Sequence, residues 1–136
     1  MRLTVDDRAA IAELIAMHGH LCDDGDLEGL DAAFTPSVTY DVTPLGGGVL
    51  EGLKQLRDAA LALGDANPVG HHVTNVIISE TQDGTVHARS KGLGVNADGT
   101  VGSVTYDDQL INTAIGWRIR HRVVTPRRTA LGGRRT

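Results

Sequence analysis

Three residues of this chain are of the types needed for acid–base chemistry: His71, Asp23 and Arg122. Histidine is the natural proton acceptor near neutral pH. A carboxylate beside it orients the imidazole and stabilises the imidazolium formed when it takes a proton. An arginine offers fixed positive charge to an oxyanion or a leaving group. Brought into one pocket, the three would suit abstraction of a carbon-bound proton, with elimination, isomerisation or ring closure to follow.

Each residue also has a plainer account. Asp23 lies in Cys22-Asp-Asp-Gly-Asp26, and acids at a helix junction usually form a solvated turn that caps the next helix. Asp26 fills the capping role, which leaves Asp23 without one. His71 and His72 are neighbours on a strand pattern and point to opposite faces. Alternation groups His71 with Val73, Asn75 and Ile77, and His72 with Thr74, Val76 and Ile78; it does not choose between them. Arg122 shares its parity with Arg118 and Arg120, opposite Trp117, Ile119, His121 and Val123, so strict alternation puts it on a solvated face. His18 and Cys22 are four apart on one helix face, a spacing open to a metal, but core packing explains them better. Leu45-Gly-Gly-Gly-Val lacks the Lys and the strand–helix context of a phosphate loop, and there is no Gly-x-Ser-x-Gly elbow. No cofactor and no metal are expected.

Positioning such residues requires helices that precede a long antiparallel meander. Thr4 with Asp7 three residues on opens a first helix, and Ile11, Leu14, Ile15, His18, Leu21 and Cys22 follow at helical spacing. Gly25 ends it. Asp26 opens a second helix carrying Leu27, Leu30 and Phe34, which Thr35-Pro36 stops. Ser37–Thr43 alternates as a half-buried strand with Val38, Tyr40 and Val42 on one side. A third helix spans about 53–63. Four strands follow at about 70–80, 85–95, 101–112 and 116–124, joined at Asp83-Gly84, Asp98-Gly99 and Ala114–Gly116. The class is α+β. A glycine-rich sheet curled over the helices leaves a pocket on its concave side.

The 136 residues form one domain by size, read as 1–125, with a basic tail at 126–136. The lone Cys22 excludes an internal disulfide, and no segment has the charge and apolar pattern of a leader or a membrane span, so the expectation is a cytoplasmic protein with no membrane partner. Seven of the 13 Lys/Arg lie from Arg118 onward, but no aromatic is interleaved with Arg127, Arg128, Arg134 and Arg135, so no nucleic-acid partner is expected. Salt-sensitive binding lost on deleting residues 127–136 would reverse that view. Val76, Ile78, Val86, Val101 and Val123 are too many for one small cone, which points to a homo-oligomer, dimer or trimer.

Three segments carry a resemblance: Asp7-Arg-Ala-Ala-Ile-Ala-Glu-Leu14 through Asp23-Asp-Gly-Asp-Leu27, His71-His-Val-Thr-Asn75, and Gly116-Trp-Arg-Ile-Arg-His-Arg122. Their order and spacing resemble SnoaL-like members of the nuclear transport factor 2-like superfamily over about residues 5–125. The resemblance implies a cone-shaped domain, its strongly curved antiparallel sheet wrapped over three N-terminal helices. It implies a small hydrophobic molecule in the cone and the acid–base chemistry of dehydratases, dehydrohalogenases, isomerases and polyketide cyclases. It also implies a dyad of His71 and Asp23, with His71 rather than His72 facing the cavity on its spacing to Asn75. Arg122 matches the leaving-group arginine of the dehydrochlorinase, and the pocket is implied to include His18, Tyr40, Cys22 and Asn75. Cys22 stands where the scytalone dehydratase pattern has a tyrosine, and the strand at Arg89–Val95 reproduces neither enzyme's pocket. A non-catalytic ligand-binding or accessory domain of the same fold is the alternative.

Overall fold

The computed structural model describes residues 2–135. Helix α1 spans Val5–Asp23 and begins with a full capping box, the Thr4 hydroxyl accepting from the Asp7 amide and the Asp7 carboxylate from the Thr4 amide. Asp7 also accepts from the Trp117 indole at 3.1 Å, tying the start of α1 to the last strand. Ile11, Leu14, Ile15 and His18 are buried along one side of the helix.

The second expected helix is corrected. Asp26 accepts from the Gly29 amide at 3.0 Å, but Leu27 holds the capping position and only a five-residue 3-10 turn, Glu28–Ala32, follows. So short a segment cannot repay α-helix nucleation. Phe34 already belongs to strand β1, Phe34–Asp41, and Thr35-Pro36 lies inside that strand instead of ending a helix. Proline is tolerated there because the pairing of β1 with its neighbour is interrupted between Phe34 and Thr39.

Strand β2, Val49–Glu51, was too short to read from the sequence, and helix α2 follows at Gly52–Leu63. Strands β3 (Gly70–Glu80), β4 (Val86–Val95), β5 (Val101–Thr113) and β6 (Gly116–Pro126) lie within two residues of their expected spans. One curved, unclosed sheet runs in the order β2-β1-β6-β5-β4-β3; β1 and β6 are parallel and the other pairs antiparallel. The α+β class with the sheet wrapped over N-terminal helices therefore holds, with two α-helices and a 3-10 turn in place of three helices.

Two β-bulges decide which side chains enter the cone. In β3 the pairing jumps from Thr74–Lys91 to Ile77–Arg89, so Asn75 and Val76 face one residue, Ser90. Asn75 takes φ 57°, a left-handed conformation that asparagine tolerates. In β6 the pairing jumps from Gln109–His121 to Leu110–Ile119, leaving Arg120 unopposed. Each extra residue reverses the alternation of its strand. Val73 then shares the sheltered side with Val76 and Ile78, and Arg122 turns inward beside Val124.

The tail is anchored where it begins. The Arg127 amide donates to the Ser103 carbonyl at 2.8 Å and its Nε to Thr105 Oγ1 at 2.8 Å. The short turn at Ala130–Gly133 that follows is not a regular helix, since Leu131 and Gly132 take left-handed φ values of 55° and 65°. Among the described residues no helix is long and apolar enough to cross a membrane.

Candidate functional site

His71 is placed by a close approach of helix to sheet. A Cβ on Gly19 would lie 2.5 Å from the His71 carbonyl oxygen, so only glycine lets α1 sit this near β3. The approach brings Asp23, the last residue of α1, onto His71. Both Asp23 oxygens accept from the His71 amide at 3.0 Å, and Oδ1 is 2.7 Å from Nδ1 of the ring. A carboxylate only accepts, so the ring proton lies on Nδ1 and the neutral imidazole carries its lone pair on Nε2. The side chains are 19% and 28% exposed, which places the pair at the mouth of the cone and not at its floor. His72, the next residue, is exposed.

The floor is built around Arg122. It is fully buried and forms two parallel hydrogen bonds to Asp108, Nε to Oδ1 at 2.6 Å and NH2 to Oδ2 at 2.9 Å. Its NH1 lies 3.2 Å from Nδ1 of His18. The guanidinium carbon sits 4.2 Å from the centroid of Tyr106, 5.3 Å from Phe34 and 5.8 Å from Tyr40. Burial opposes its charge, but the Asp108 carboxylate, with smaller contributions from Tyr40 and Tyr106, more than offsets that and raises the pKa above the usual arginine value. Sequence alternation put Arg122 in solvent; the Arg120 bulge puts it in the core.

His18 is surrounded. Its ring centroid is 5.5 Å from Phe34, 6.0 Å from Tyr106, 6.1 Å from His71 and 6.4 Å from Tyr40. Burial, then the charge of Arg122 and the proximity of His71, hold its pKa well below the ordinary value. Cys22 is pushed up to about 11 by burial and by the charge of Asp23, so it is a thiol at neutral pH. Burial also raises Tyr40 and Tyr106. Among the described residues no group of three or more His, Cys, Asp or Glu is placed to hold a metal.

Four of the sequence candidates, His71, Asp23, His18 and Arg122, thus come together, with Tyr40 and Cys22 against them. Asn75 does not: it is exposed on the bulge and shapes the strand instead of lining the cluster. Asp108 and Tyr106 were missed. Their signal was present in Tyr106-Asp-Asp108-Gln-Leu110, where a carboxylate shares the parity of two apolar residues and must find a buried partner. A concavity of about 550 Å³ lies on the outer side of the sheet between Ile77, His87 and Val123, away from His71, Asp23 and Arg122.

The buried neutral His18 should shape acid stability. Its pKa is depressed in the folded state, so near and below the unfolded value of about 6.5 the unfolded chain binds the extra proton. Stability therefore falls as pH drops below that value, by up to about 1.4 kcal/mol per pH unit, until the folded-state pKa is reached. Urea denaturation of the wild type and of His18→Phe across this window is expected to show a flatter curve for the variant. Parallel curves would contradict a neutral buried His18.

A SnoaL-like domain family matches residues 3–123 of the chain. Among solved structures, a protein described as NTF2-like with a cystatin-like fold, from Novosphingobium aromaticivorans, is 27% identical with a TM-score of 0.75, over 93% of this chain and 86% of its own. A protein of unknown function with a cystatin-like fold from Nostoc punctiforme is 24% identical with a TM-score of 0.79, over 95% and 97%. An inferred scytalone dehydratase from Novosphingobium aromaticivorans is 17% identical with a TM-score of 0.75, over 91% and 86%. No curated protein matches the chain.

Proposed function

The chain belongs to the SnoaL-like domain family, and we propose that it is a cofactor-independent lyase or isomerase that removes a carbon-bound proton from a small hydrophobic molecule. The observation that carries this reading is the His71–Asp23 contact, Nδ1 to Oδ1 at 2.7 Å, which leaves Nε2 as the proton acceptor. Asp23 holds the ring and balances the charge it gains. The apolar and aromatic surroundings, Phe34, Tyr40 and Tyr106, suit a substrate with little charge of its own. Arg122 has Nε and NH2 committed to Asp108, so its positive charge favours a developing oxyanion or departing halide through His18, the neighbour of its NH1.

The test needs no knowledge of the product. Aryl ketones such as tetralone, incubated with the protein in heavy water, are followed by proton NMR. Deuterium entering the carbon next to the carbonyl, dependent on His71, supports proton abstraction. A binding domain without catalysis is the second reading, favoured by the pairing of the Arg122 charge with Asp108. Saturable ketone binding with no exchange would put that reading first.

The same proposal includes a homo-oligomer, on corrected grounds. Val86 is buried, and Val76 and Ile78 pack against the core, so three of the five residues invoked above fit inside the cone. The outer side of the sheet still exposes Ile77 (69%), Val101 (62%), Leu93 (42%) and Ile111 (39%). Sedimentation at micromolar concentration is expected to give a dimer or trimer, and Ile77→Asp to weaken it; a wild-type monomer would refute the oligomer.

A further inference from the structure

We propose that His18 donates the hydrogen bond that stabilises the substrate oxyanion, with its tautomer set by Arg122. This deepens the reading of His71 as the base and supplies its electrophilic partner. An arginine only donates. Its NH1 is 3.2 Å from His18 Nδ1, so that nitrogen accepts and the ring proton lies on Nε2. Arg122 is not free to release this contact, because Nε and NH2 are both held by Asp108. His71 has the opposite arrangement, since Asp23 takes its Nδ1 proton and leaves Nε2 bare.

Two imidazoles of opposite tautomer therefore stand 6.1 Å apart, centroid to centroid, one an acceptor and the other a donor. Among the described residues the His18 ring makes one hydrogen bond, through Nδ1, while the residue as a whole is 4% exposed. A buried ring N–H with no partner in the protein is a donor that a ligand can satisfy. The groups facing the ring are Arg122 from β6, Asp108 behind it and Tyr106 from β5, Tyr40 from β1 and His71 from β3.

The step balances within the substrate and these two rings. The C–H bond next to a carbonyl breaks and its proton goes to His71 Nε2. The electron pair forms a carbon–carbon double bond, and the carbonyl π pair moves onto oxygen. The enolate oxygen accepts from His18 Nε2–H, which keeps its proton. A neutral imidazole that polarises a carbonyl in this way need not lose a proton to do so. His71 then returns the proton at another carbon, or a leaving group departs.

Ring-nitrogen NMR of the histidines tests the assignment, with para-nitrophenolate as a stable oxyanion probe. Unliganded protein is expected to show His18 protonated on Nε2 alone. Phenolate should shift that proton downfield in a saturable manner, and should do so equally in His71→Ala. His18→Phe is expected to weaken phenolate at least tenfold and to lower kcat of ketone exchange with little change in KM, whereas His18→Gln, which keeps a donor, recovers part of both. A proton on His18 Nδ1, a phenolate that does not bind, or one that binds without moving the His18 signal would overturn the proposal. Loss of exchange in His71→Ala bears only on the base, so the two failures are separable.

Discussion

Asp108→Ala is expected to lower the unfolding free energy by about 3–5 kcal/mol, the usual cost of leaving one member of a buried ion pair alone. Both side chains are wholly excluded from solvent, and Asp108 accepts two of the guanidinium's hydrogen bonds. Once it is gone, Arg122 is left, among the described residues, with the 3.2 Å contact to His18 and the surrounding Tyr106, Phe34 and Tyr40. Those rings favour a cation by about 0.5–2 kcal/mol each, too little to replace a carboxylate. With total stability of about 5–15 kcal/mol for an ordinary domain, the variant stands near unfolding. The double variant Asp108→Leu with Arg122→Met removes both charges and is expected to stay within about 2 kcal/mol of the wild type, or to exceed it. Urea denaturation followed by the fluorescence of the single tryptophan, the buried Trp117, measures all three proteins. A loss under about 1 kcal/mol for Asp108→Ala would mean that the pair is solvated and that Arg122 does not anchor the floor.

That buried pair lies where strict alternation of the strand breaks down. Periodicity located α1, α2 and the four long strands because a period near 3.6 or 2 is set by which side must be buried. The same rule failed at single inserted residues. Arg120 and Asn75 each reverse the alternation of a strand, and nothing in their type announces a bulge except the tolerance of asparagine for φ 57°. Parity therefore argues against Arg122, which stays a candidate on its residue type and on the resemblance. His71 was chosen over His72 on its spacing to Asn75, yet Asn75 contributes by bending the strand and not by lining the site. Asp23 stands out because Asp26 is the better capping candidate, and the Gly29 amide does donate to Asp26, one residue before the capping position. Asp108 had a signal that went unused: a carboxylate on an apolar parity. The second helix failed for a length reason, since five residues between Leu27 and Ala33 cannot sustain an α-helix.

His71→Ala is expected to lower the rate of α-proton exchange on an aryl ketone by about 10²–10⁴, the ordinary contribution of a positioned general base. The substitution removes the only imidazole bonded to Asp23 among the described residues, while His18 has Nδ1 engaged by Arg122 and its proton on Nε2, so it cannot take over as acceptor. Asp23→Asn should lose a similar factor by a different route. An asparagine oxygen can still accept from the His71 amide, now bonded at 3.0 Å, so the end of α1 stays against β3. Its NH2, however, can donate to Nδ1, which drives the ring proton to Nε2 and blocks the atom that must accept. A base and the group that sets its tautomer act as one unit, so the double variant should be little worse than either single one. The kinetic signature is a fall in kcat with KM nearly constant, because neither change removes the apolar surface that binds the ketone. Folding is checked by Trp117 fluorescence. Multiplicative losses in the double variant would mean that Asp23 and His71 act separately. Full exchange by a folded His71→Ala would remove the base altogether and leave a ligand-binding domain in which the Asp23–His71 contact serves only to hold the end of α1 against β3.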